Sequence, residues 1–224
     1  MTGLGSPPIR PPLPGRPGSI GVIGGTFDPI HLGHLATAEE AREVLGLERV
    51  LFIPNAIPPF KLDGAAASAD DRLAMTRLAI AGNPAFQVST IELERGGVSY
   101  TADTVEALTA AEREAGREPD LTLILSAETL RDLPGWHAPE RLLAACRIAV
   151  VPREGYPAPD PAWLRAQLPG AELQVALLDG PRLEISSTAI RERVAAGRSI
   201  RYLVPPVVER YVADHQLYRR TDRP

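Results

Sequence analysis

The sequence predicts an α/β protein with a doubly wound, mostly parallel β-sheet. Short apolar runs suited to buried strands alternate along the chain with segments of helical periodicity. A glycine-rich turn follows the first apolar run and leads directly into a helix-forming stretch. Because parallel strands joined by helices require right-handed crossovers, this alternation favours a sheet covered by helices on both faces.

The elements follow in regular order, and apolar periodicity places most of them. The expected strands are residues 20–24, 50–53, 86–93, 121–125, 147–151 and 175–178. The expected helices are residues 33–45, 70–81, 101–115, 139–145, 188–196 and 205–215. Pro54 and Pro152 end strands, whereas Pro139 opens a helix, where the N–H that proline lacks has no intrahelical partner. Between the second strand and the second helix, residues 55–68 are predicted to be a loop.

The ends of the chain differ in composition from its middle. Residues 1–18 alternate prolines with glycines, which prevents regular hydrogen bonding, so we expect a disordered tail there. Residues 19–218 are predicted to form a single domain, and residues 219–224 a short C-terminal tail.

Composition excludes several classes of protein. The net charge of −4 argues against a nucleic-acid-binding protein that relies on overall basicity. No apolar run approaches the roughly 20 residues of a membrane span, and no apolar segment near the N-terminus suggests a secretory signal. The single cysteine, Cys146, excludes an internal disulfide framework and fits a reducing compartment. We therefore expect a cytoplasmic protein with no membrane or nucleic-acid partner, as a monomer or homodimer.

The most informative segment is GGTFDPIHLGH at residues 24–34. Its glycines let backbone N–H groups approach an anion, and the following helix N-terminus adds positive partial charge. His31 and His34, three positions apart, can donate hydrogen bonds to phosphate from this position. The two histidines could also be half of a metal site or residues that cap the helix. Phosphate contact is favoured because the upstream glycines serve the same purpose.

A second candidate anion site lies at residues 185–191, ISSTAIR. Three hydroxyl residues precede the predicted helix, and Arg191 follows about one turn inside it. One hydroxyl is explained as a helix cap, but the cluster with an arginine is typical of a site that surrounds a polyphosphate.

Together these segments resemble the signatures of the nucleotidyltransferase superfamily with the His-x-Gly-His motif, which has a Rossmann-like fold. Further segments narrow the resemblance to bacterial nicotinate-nucleotide adenylyltransferase: PNAIPPFK at 54–61, SYTADT at 99–104, LPGWH at 133–137 and YLVP at 202–205. The resemblance covers residues 19–218 and implies the transfer of an adenylyl group from ATP to nicotinate mononucleotide, with Mg²⁺ held mainly by phosphates. No general base is expected, because the attacking phosphate is already an anion at neutral pH.

The resemblance also implies roles for individual residues. The expected catalytic residues are His31, His34 and Arg191. The expected ATP-binding residues are Gly24, Gly25, Thr26, Phe27, Ser126, Glu128, Ser186, Ser187 and Thr188. The expected mononucleotide-binding residues are Asn55, Lys61, Thr101, Trp136 and His137, with Trp136 stacked on the pyridine ring. Trp136 could instead be a buried structural aromatic residue. No protein ligand for the metal is expected.

Two departures from the family pattern leave other functions open. Phe60 stands where the family usually has histidine, and residues 126–129 read SAET where it usually has GADS. They make a non-catalytic nucleotide sensor the alternative of another class. Apart from these departures, the alternatives are an adenylyltransferase acting on nicotinamide mononucleotide and another superfamily enzyme such as pantetheine-phosphate adenylyltransferase.

Overall fold

The described part of the chain is built around a six-stranded sheet in which every neighbouring pair of strands is parallel. The computed structural model describes residues 15–58, 64–152, 155–156, 159–171 and 174–219. The strands are β1 (Ile20–Gly25), β2 (Arg49–Pro54), β3 (Phe86–Val88), β4 (Leu121–Ser126), β5 (Arg147–Val151) and β6 (Val175–Leu177). Their spatial order, β3-β2-β1-β4-β5-β6, is that of a doubly wound Rossmann-like sheet, which confirms the predicted fold class.

Helices connect the strands and cover the sheet. They are α1 (Leu32–Leu45), α2 (Ala69–Ile80), α3 (Ile91–Arg95), α4 (Thr101–Glu114), α5 (Ala127–Asp132), α6 (Pro139–Ala145), α7 (Pro161–Gln167), α8 (Ser187–Ala195) and α9 (Pro206–Asp214). The short helices α3, α5 and α7 were not expected from the sequence. Within the described ranges, no helix has the length and apolarity needed to cross a membrane.

The prediction of a strand over residues 86–93 is wrong in its second half. The strand ends at Val88, and Thr90 is the N-cap residue of the short helix α3. Apolar residues at positions 86, 88, 91 and 93 suggested a longer strand, but their spacing changes phase after Val88. Glu92 is buried and accepts a hydrogen bond from Thr104 of α4, and this tertiary contact favours the helix.

Consecutive residues of the central strands enter two different hydrophobic clusters. Ile23 and Phe52 belong to the cluster under α1, α2, α8 and α9, whereas Val22 and Ile53 belong to the cluster under α4, α5 and α6. Successive side chains of a strand point to opposite faces, so both faces of the sheet are buried. This arrangement explains why the strands read as continuous apolar runs.

A crevice opens where the order of strands reverses, between β1 and β4. Their register runs from Ile20–Leu121 to Val22–Leu123, whereas the strands themselves continue to Gly25 and Ser126. Beyond Val22 the two carboxyl ends are therefore no longer held together by the ladder. In open α/β sheets, ligands bind at this topological switch point.

The observed N-terminal boundary differs from the predicted one at residue 18. Gly15 donates its backbone N–H to Leu45, Arg16 to Asp120, and Gly18 to the Glu48 carboxylate at 2.7 Å. Residues 15–18 are therefore attached to the domain, because the first strand places them beside α1 and β4. The rest of the predicted tail, residues 1–14, lies outside the described residues, as do residues 220–224.

Candidate active site

The loop after β1 turns sharply, and Phe27 fixes the turn. Its φ of 49° is a left-handed conformation, which a non-glycine residue keeps only where its surroundings hold it. The Phe27 ring is buried and packs edge-on against His34, with ring centroids 5.1 Å apart. Phe27 thus contributes its side chain to the core, and only its backbone is available to face a ligand.

Arg72 of α2 holds this loop in place through hydrogen bonds, although it was not predicted to be a site residue. Its guanidinium is buried and donates to the carbonyls of Thr26 at 2.8 Å and Asn55 at 2.9 Å. Burial lowers the pKa of Arg72, while the nearby Asp28 carboxylate opposes that shift. Its position in the sequence could have indicated burial, because helical spacing places Arg72 on the same buried face of α2 as Met75 and Thr76.

The two motif histidines are joined by a hydrogen bond and a ring contact. His31 is the N-cap residue of α1, and its backbone N–H donates to Nδ1 of His34 at 3.2 Å. The imidazoles stack with centroids 3.7 Å apart. Since Nδ1 of His34 accepts this bond, we assign the proton of the neutral ring to Nε2. His31 thus occupies the N-cap position of α1, and this position is compatible with phosphate contact because both rings line a cavity.

Two glycines of the motif serve different purposes. A Cβ on Gly33 would lie 3.0 Å from Nδ1 of His31, so a larger residue there would push the imidazole away from its position against the helix. A Cβ on Gly24 would meet no atom within 4 Å, and packing among the described residues therefore does not explain the glycine. The open space beside Gly24 instead allows a ligand to approach the backbone closely.

The crevice contains two cavities that meet at Gly24. The α8 cavity, of about 310 Å³, extends toward the N-terminus of α8, and the α4 cavity, of about 650 Å³, extends toward the N-terminus of α4. They share Gly24, Leu125 and Thr129. Two ligands bound in the two cavities would therefore meet at the carboxyl ends of β1 and β4.

The predicted site residues are distributed between these cavities. Those lining the α8 cavity are Gly24, His31, His34, Ser126, Ser186, Ser187 and Thr188. Those lining the α4 cavity are Gly24, Gly25, Thr26, Asn55, Thr101, Trp136 and His137. Those that lie outside both linings are Phe27, Glu128 and Arg191. Lys61 and Phe60 lie outside the described residues.

The three hydroxyls at the start of α8 have different hydrogen-bond roles. Ser186 Oγ caps the helix by accepting from the Ala189 N–H at 3.2 Å. Ser187 Oγ donates to the carbonyl of Pro29 at 2.9 Å, which uses its proton. Thr188 Oγ1 accepts from Arg191 Nη2 at 3.2 Å. The protons of Ser186 and Thr188 are not used in these bonds and can be donated to an anion.

Arg191 connects α8 to the motif loop. Its Nη1 donates to the backbone carbonyl of Asp28 at 2.8 Å and lies 3.8 Å from the Asp28 carboxylate. That buried carboxylate also accepts from the backbone N–H groups of Ala66 and Ala67 and from the Tyr218 hydroxyl at 2.8 Å. Burial and the Asp28 charge raise the pKa of Tyr218. Neither Asp28 nor Tyr218 was predicted to be a functional residue, because their partners are distant along the chain.

The segment after β4 closes the crevice between the two cavities. Ser126 is the N-cap of α5 and accepts from the Thr129 N–H at 3.1 Å, and the two hydroxyl oxygens lie 2.8 Å apart. Glu128 lies in the first turn of α5 and is half-buried. The hydroxyls of Ser126 and Thr129, rather than the Glu128 carboxylate, therefore line the α8 cavity in this structure.

The far wall of the α4 cavity is aromatic. Trp136 follows a 3₁₀ turn at Leu133–Gly135, is half-buried and packs against the cluster under α4 while also lining the cavity. Packing and ligand contact are thus compatible for this side chain. His137 is exposed, and its ring lies 4.3 Å from that of Tyr100.

Among the described residues, no group of three or more histidine, cysteine, aspartate or glutamate side chains could hold a metal ion. Within those ranges, His31 and His34 are therefore not part of a cluster of three or more such side chains.

Comparison with known proteins agrees with this architecture. The cytidylyltransferase-like family model matches residues 22–193. A probable nicotinate-nucleotide adenylyltransferase from Roseiflexus sp. (strain RS-1) is 50% identical over 200 residues, covering 89% of this chain and 98% of the relative. A protein of the same name from Herpetosiphon aurantiacus is 47% identical, with coverage of 89% and 98%.

Solved structures show the same fold. The Plasmodium falciparum nicotinic acid mononucleotide adenylyltransferase complexed with NaAD has a TM-score of 0.72 and 17% identity, covering 89% of this chain and 97% of the other. The same enzyme complexed with APC also gives a TM-score of 0.72, at 16% identity, with coverage of 89% and 96%. The chain belongs to the cytidylyltransferase-like family and, within it, to the nicotinate-nucleotide adenylyltransferases.

Proposed function

We propose that this protein transfers the adenylyl group of ATP to nicotinate mononucleotide, forming deamido-NAD and pyrophosphate. The observation that carries the proposal is the pair of cavities meeting at Gly24. ATP occupies the α8 cavity, where donors surround its phosphates, and the mononucleotide occupies the α4 cavity, beside Trp136. The names of the relatives support the same reaction.

The reaction needs alignment and charge stabilisation. A phosphate oxygen of the mononucleotide forms a bond to the α-phosphorus of ATP, and the bond from that phosphorus to its bridging oxygen breaks. Pyrophosphate leaves with the bonding electrons. The attacking oxygen carries no proton to be removed, so the protein supplies positioning and stabilises negative charge on the transferring and leaving groups.

Donors on both sides of the α8 cavity can supply this stabilisation. Nε2–H of His34 donates from one side, and the hydroxyls of Ser186 and Thr188 with the free N–H groups of the α8 N-terminus donate from the other. ATP enters as its magnesium complex. A magnesium ion bound with ATP would neutralise phosphate charge and would be held mainly by the substrate phosphates.

Arg191 does not line the α8 cavity. Its guanidinium instead donates hydrogen bonds to the Asp28 carbonyl and to Thr188, and so holds the motif loop against α8. We therefore assign Arg191 a positioning role in addition to its long-range charge. Lys61 remains a proposed phosphate partner on sequence grounds alone.

In the α4 cavity, Trp136 stacks on the pyridine ring while Asn55 and Thr101 bind polar groups of the mononucleotide. The backbone at Trp136 and His137 binds the nicotinate carboxylate. This placement favours nicotinate over nicotinamide, because a carboxylate accepts hydrogen bonds at both oxygens. We also propose a cytoplasmic location, no nucleic-acid partner, and a monomeric or homodimeric state.

A pyrophosphate-release assay with both mononucleotides in competition tests the proposal. We expect turnover with ATP and nicotinate mononucleotide, and a lower kcat/KM for nicotinamide mononucleotide. Tight ATP binding with no turnover of either substrate would support a nucleotide sensor and overturn the proposal. Preferred use of nicotinamide mononucleotide would overturn the substrate assignment alone.

A further inference from the structure

A buried carboxylate lines the α4 cavity at a position that the proposed reaction does not use. Glu92 of α3 is only 6% exposed, yet it belongs to the cavity lining together with Asn55, Thr101 and Trp136. A buried charge in a pocket for an anionic substrate is costly unless it meets a hydrogen-bond donor. Thr104 donates to only one of the two carboxylate oxygens, so the other oxygen still calls for a donor.

The hydrogen bonds around Glu92 show that it acts as an acceptor. Arg95 Nη2 donates to Thr104 Oγ1 at 2.9 Å, since a guanidinium can only donate. The single hydroxyl proton of Thr104 then goes to Glu92 Oε1 at 2.7 Å, a shorter contact than that to the Tyr100 carbonyl at 3.2 Å. Thr104 thus anchors Oε1 of the Glu92 carboxyl group by donating to it.

The second carboxylate oxygen of Glu92 is available to a ligand in the α4 cavity. Within the described part of the chain, Oε2 of Glu92 has no hydrogen-bond partner, although the residue is more than nine-tenths buried and lines the cavity. This oxygen is an acceptor held by Thr104 in a fixed orientation. It fits a ligand group that donates a hydrogen bond.

Nicotinate mononucleotide offers few such groups. Its pyridine carboxylate and its ionised phosphate oxygens can only accept, so the two ribose hydroxyls are its only conventional donors. We propose that Glu92 binds the ribose hydroxyls of the mononucleotide and makes the protein selective for a ribonucleotide. The inference rests on the proposed function and deepens it by assigning a specificity-determining residue in the α4 cavity.

The test compares nicotinate mononucleotide with its 2′-deoxy and 3′-deoxy analogues as substrates at saturating ATP. A hydrogen bond from a hydroxyl to a buried carboxylate corresponds to a loss of about tenfold or more in kcat/KM for at least one analogue. The measured ratio is kcat/KM for nicotinate mononucleotide divided by kcat/KM for the deoxy analogue. In Glu92→Gln the acceptor is neutral and the hydrogen bond is about half as strong, so a tenfold ratio should fall to about threefold. Glu94→Gln, an exposed position on the same helix, is the matched control and should keep the wild-type ratio.

A ratio near one in the wild-type protein overturns the inference, as does a ratio that Glu92→Gln leaves unchanged. A change in the nicotinate-to-nicotinamide ratio instead of the ribose ratio would place Glu92 at the pyridine substituent and also overturn it. If Glu92→Gln does not fold, as judged by a cooperative thermal transition, Glu92→Asp should lower the ratio in its place. Failure of the proposed function is distinguishable, because the wild-type protein would then not use nicotinate mononucleotide at all.

Discussion

Arg191 donates from Nη1 to the backbone carbonyl of Asp28 at 2.8 Å, although the two residues lie 163 positions apart in the chain. This bond joins the two signature segments. Ser187 adds a second link through its bond to the Pro29 carbonyl. The loop that carries the histidines and the helix that carries the hydroxyls are therefore held together before any ligand binds. Binding ATP between them needs little rearrangement, which lowers the entropic cost of organising the site.

Replacing Arg191 with lysine tests this link. An ammonium group cannot reproduce the planar fork that reaches both Asp28 and Thr188. We expect kcat/KM for ATP to fall by about tenfold or more, which corresponds to the loss of one or two hydrogen bonds to a charged group. Steady-state kinetics measures the change, with Arg198→Lys at an exposed position as the control. Equal kinetics in the two variants would show that Arg191 is not needed for positioning.

Tyr218 should contribute to stability through the buried Asp28. Tyr218→Phe removes the hydroxyl that donates to Asp28 Oδ1 at 2.8 Å, and it leaves the carboxylate with fewer donors. The free energy of unfolding in urea should fall by about 1–3 kcal/mol. Tyr202→Phe is the control, because Tyr202 is 83% exposed, and it should change the free energy of unfolding by less than about 0.5 kcal/mol. A Tyr218→Phe protein as stable as the control would contradict the role assigned to this bond.

His34 should matter for turnover because it donates to the phosphates. His34→Ala removes the Nε2–H donor, and kcat should fall by about a hundredfold or more, the usual cost of losing a preorganised donor to a developing charge. His215, which is stacked on Tyr211 and lies outside both cavity linings, provides the control. His215→Ala should keep kcat near the wild-type value. Near-normal turnover of His34→Ala would remove His34 from the mechanism.

Trp136 should affect one substrate more than the other. Loss of stacking in Trp136→Ala should raise the KM for the mononucleotide by about tenfold and leave the KM for ATP nearly unchanged. Trp163 of α7 is the matched tryptophan outside both cavity linings, and Trp163→Ala should change neither KM selectively. Equal increases in both KM values for Trp136→Ala would indicate a role in folding instead.

The N-terminus of α2 should make stability depend on pH through Asp71. The Ser68 hydroxyl and, to a smaller extent, the Tyr211 hydroxyl lower the pKa of Asp71 by donating to its carboxylate. A lowered pKa stabilises the fold above the ordinary pKa of aspartate, and that stabilisation is lost as the pH falls through the folded-state pKa. Asp71→Asn should therefore cost about 1 kcal/mol at neutral pH, and the difference from wild type should disappear as the pH falls below the ordinary pKa of aspartate, about 3.9, and through the lower folded-state pKa.

Urea unfolding at several pH values measures this dependence. Asp70→Asn, at the exposed neighbouring position, should show a smaller effect. A cost of Asp71→Asn that stays constant down to low pH would show that the charge of this residue is not responsible.

Much of this architecture could be predicted from local patterns. Strands β1, β2, β4 and β5 are buried on both faces, so each reads as an apolar run, and all four were predicted within a residue or so. Helix α6 was placed correctly because Pro139 marks its first residue. Residues of the two signatures could be assigned to one crevice because parallel strands bring their carboxyl ends to the same edge.

What could not be predicted depends on contacts between distant segments. Arg72, Asp28 and Glu92 are buried ions, and each is stabilised by partners from other elements. Helical spacing places Arg72 on the buried face of α2, but a single sequence does not show which distant group a buried polar side chain will meet. The different roles of Ser186 and Ser187 likewise follow from where Pro29 and Ala189 lie in space.

The central claim is that an adenylyl group passes between substrates held on either side of Gly24. The most direct test follows the phosphates of ATP labelled at either the α- or the γ-position, incubated with nicotinate mononucleotide and magnesium. We predict that the α-label appears in deamido-NAD and the γ-label in pyrophosphate, in equal amounts. Release of the γ-label as orthophosphate, or no α-label in a dinucleotide product, would contradict this account.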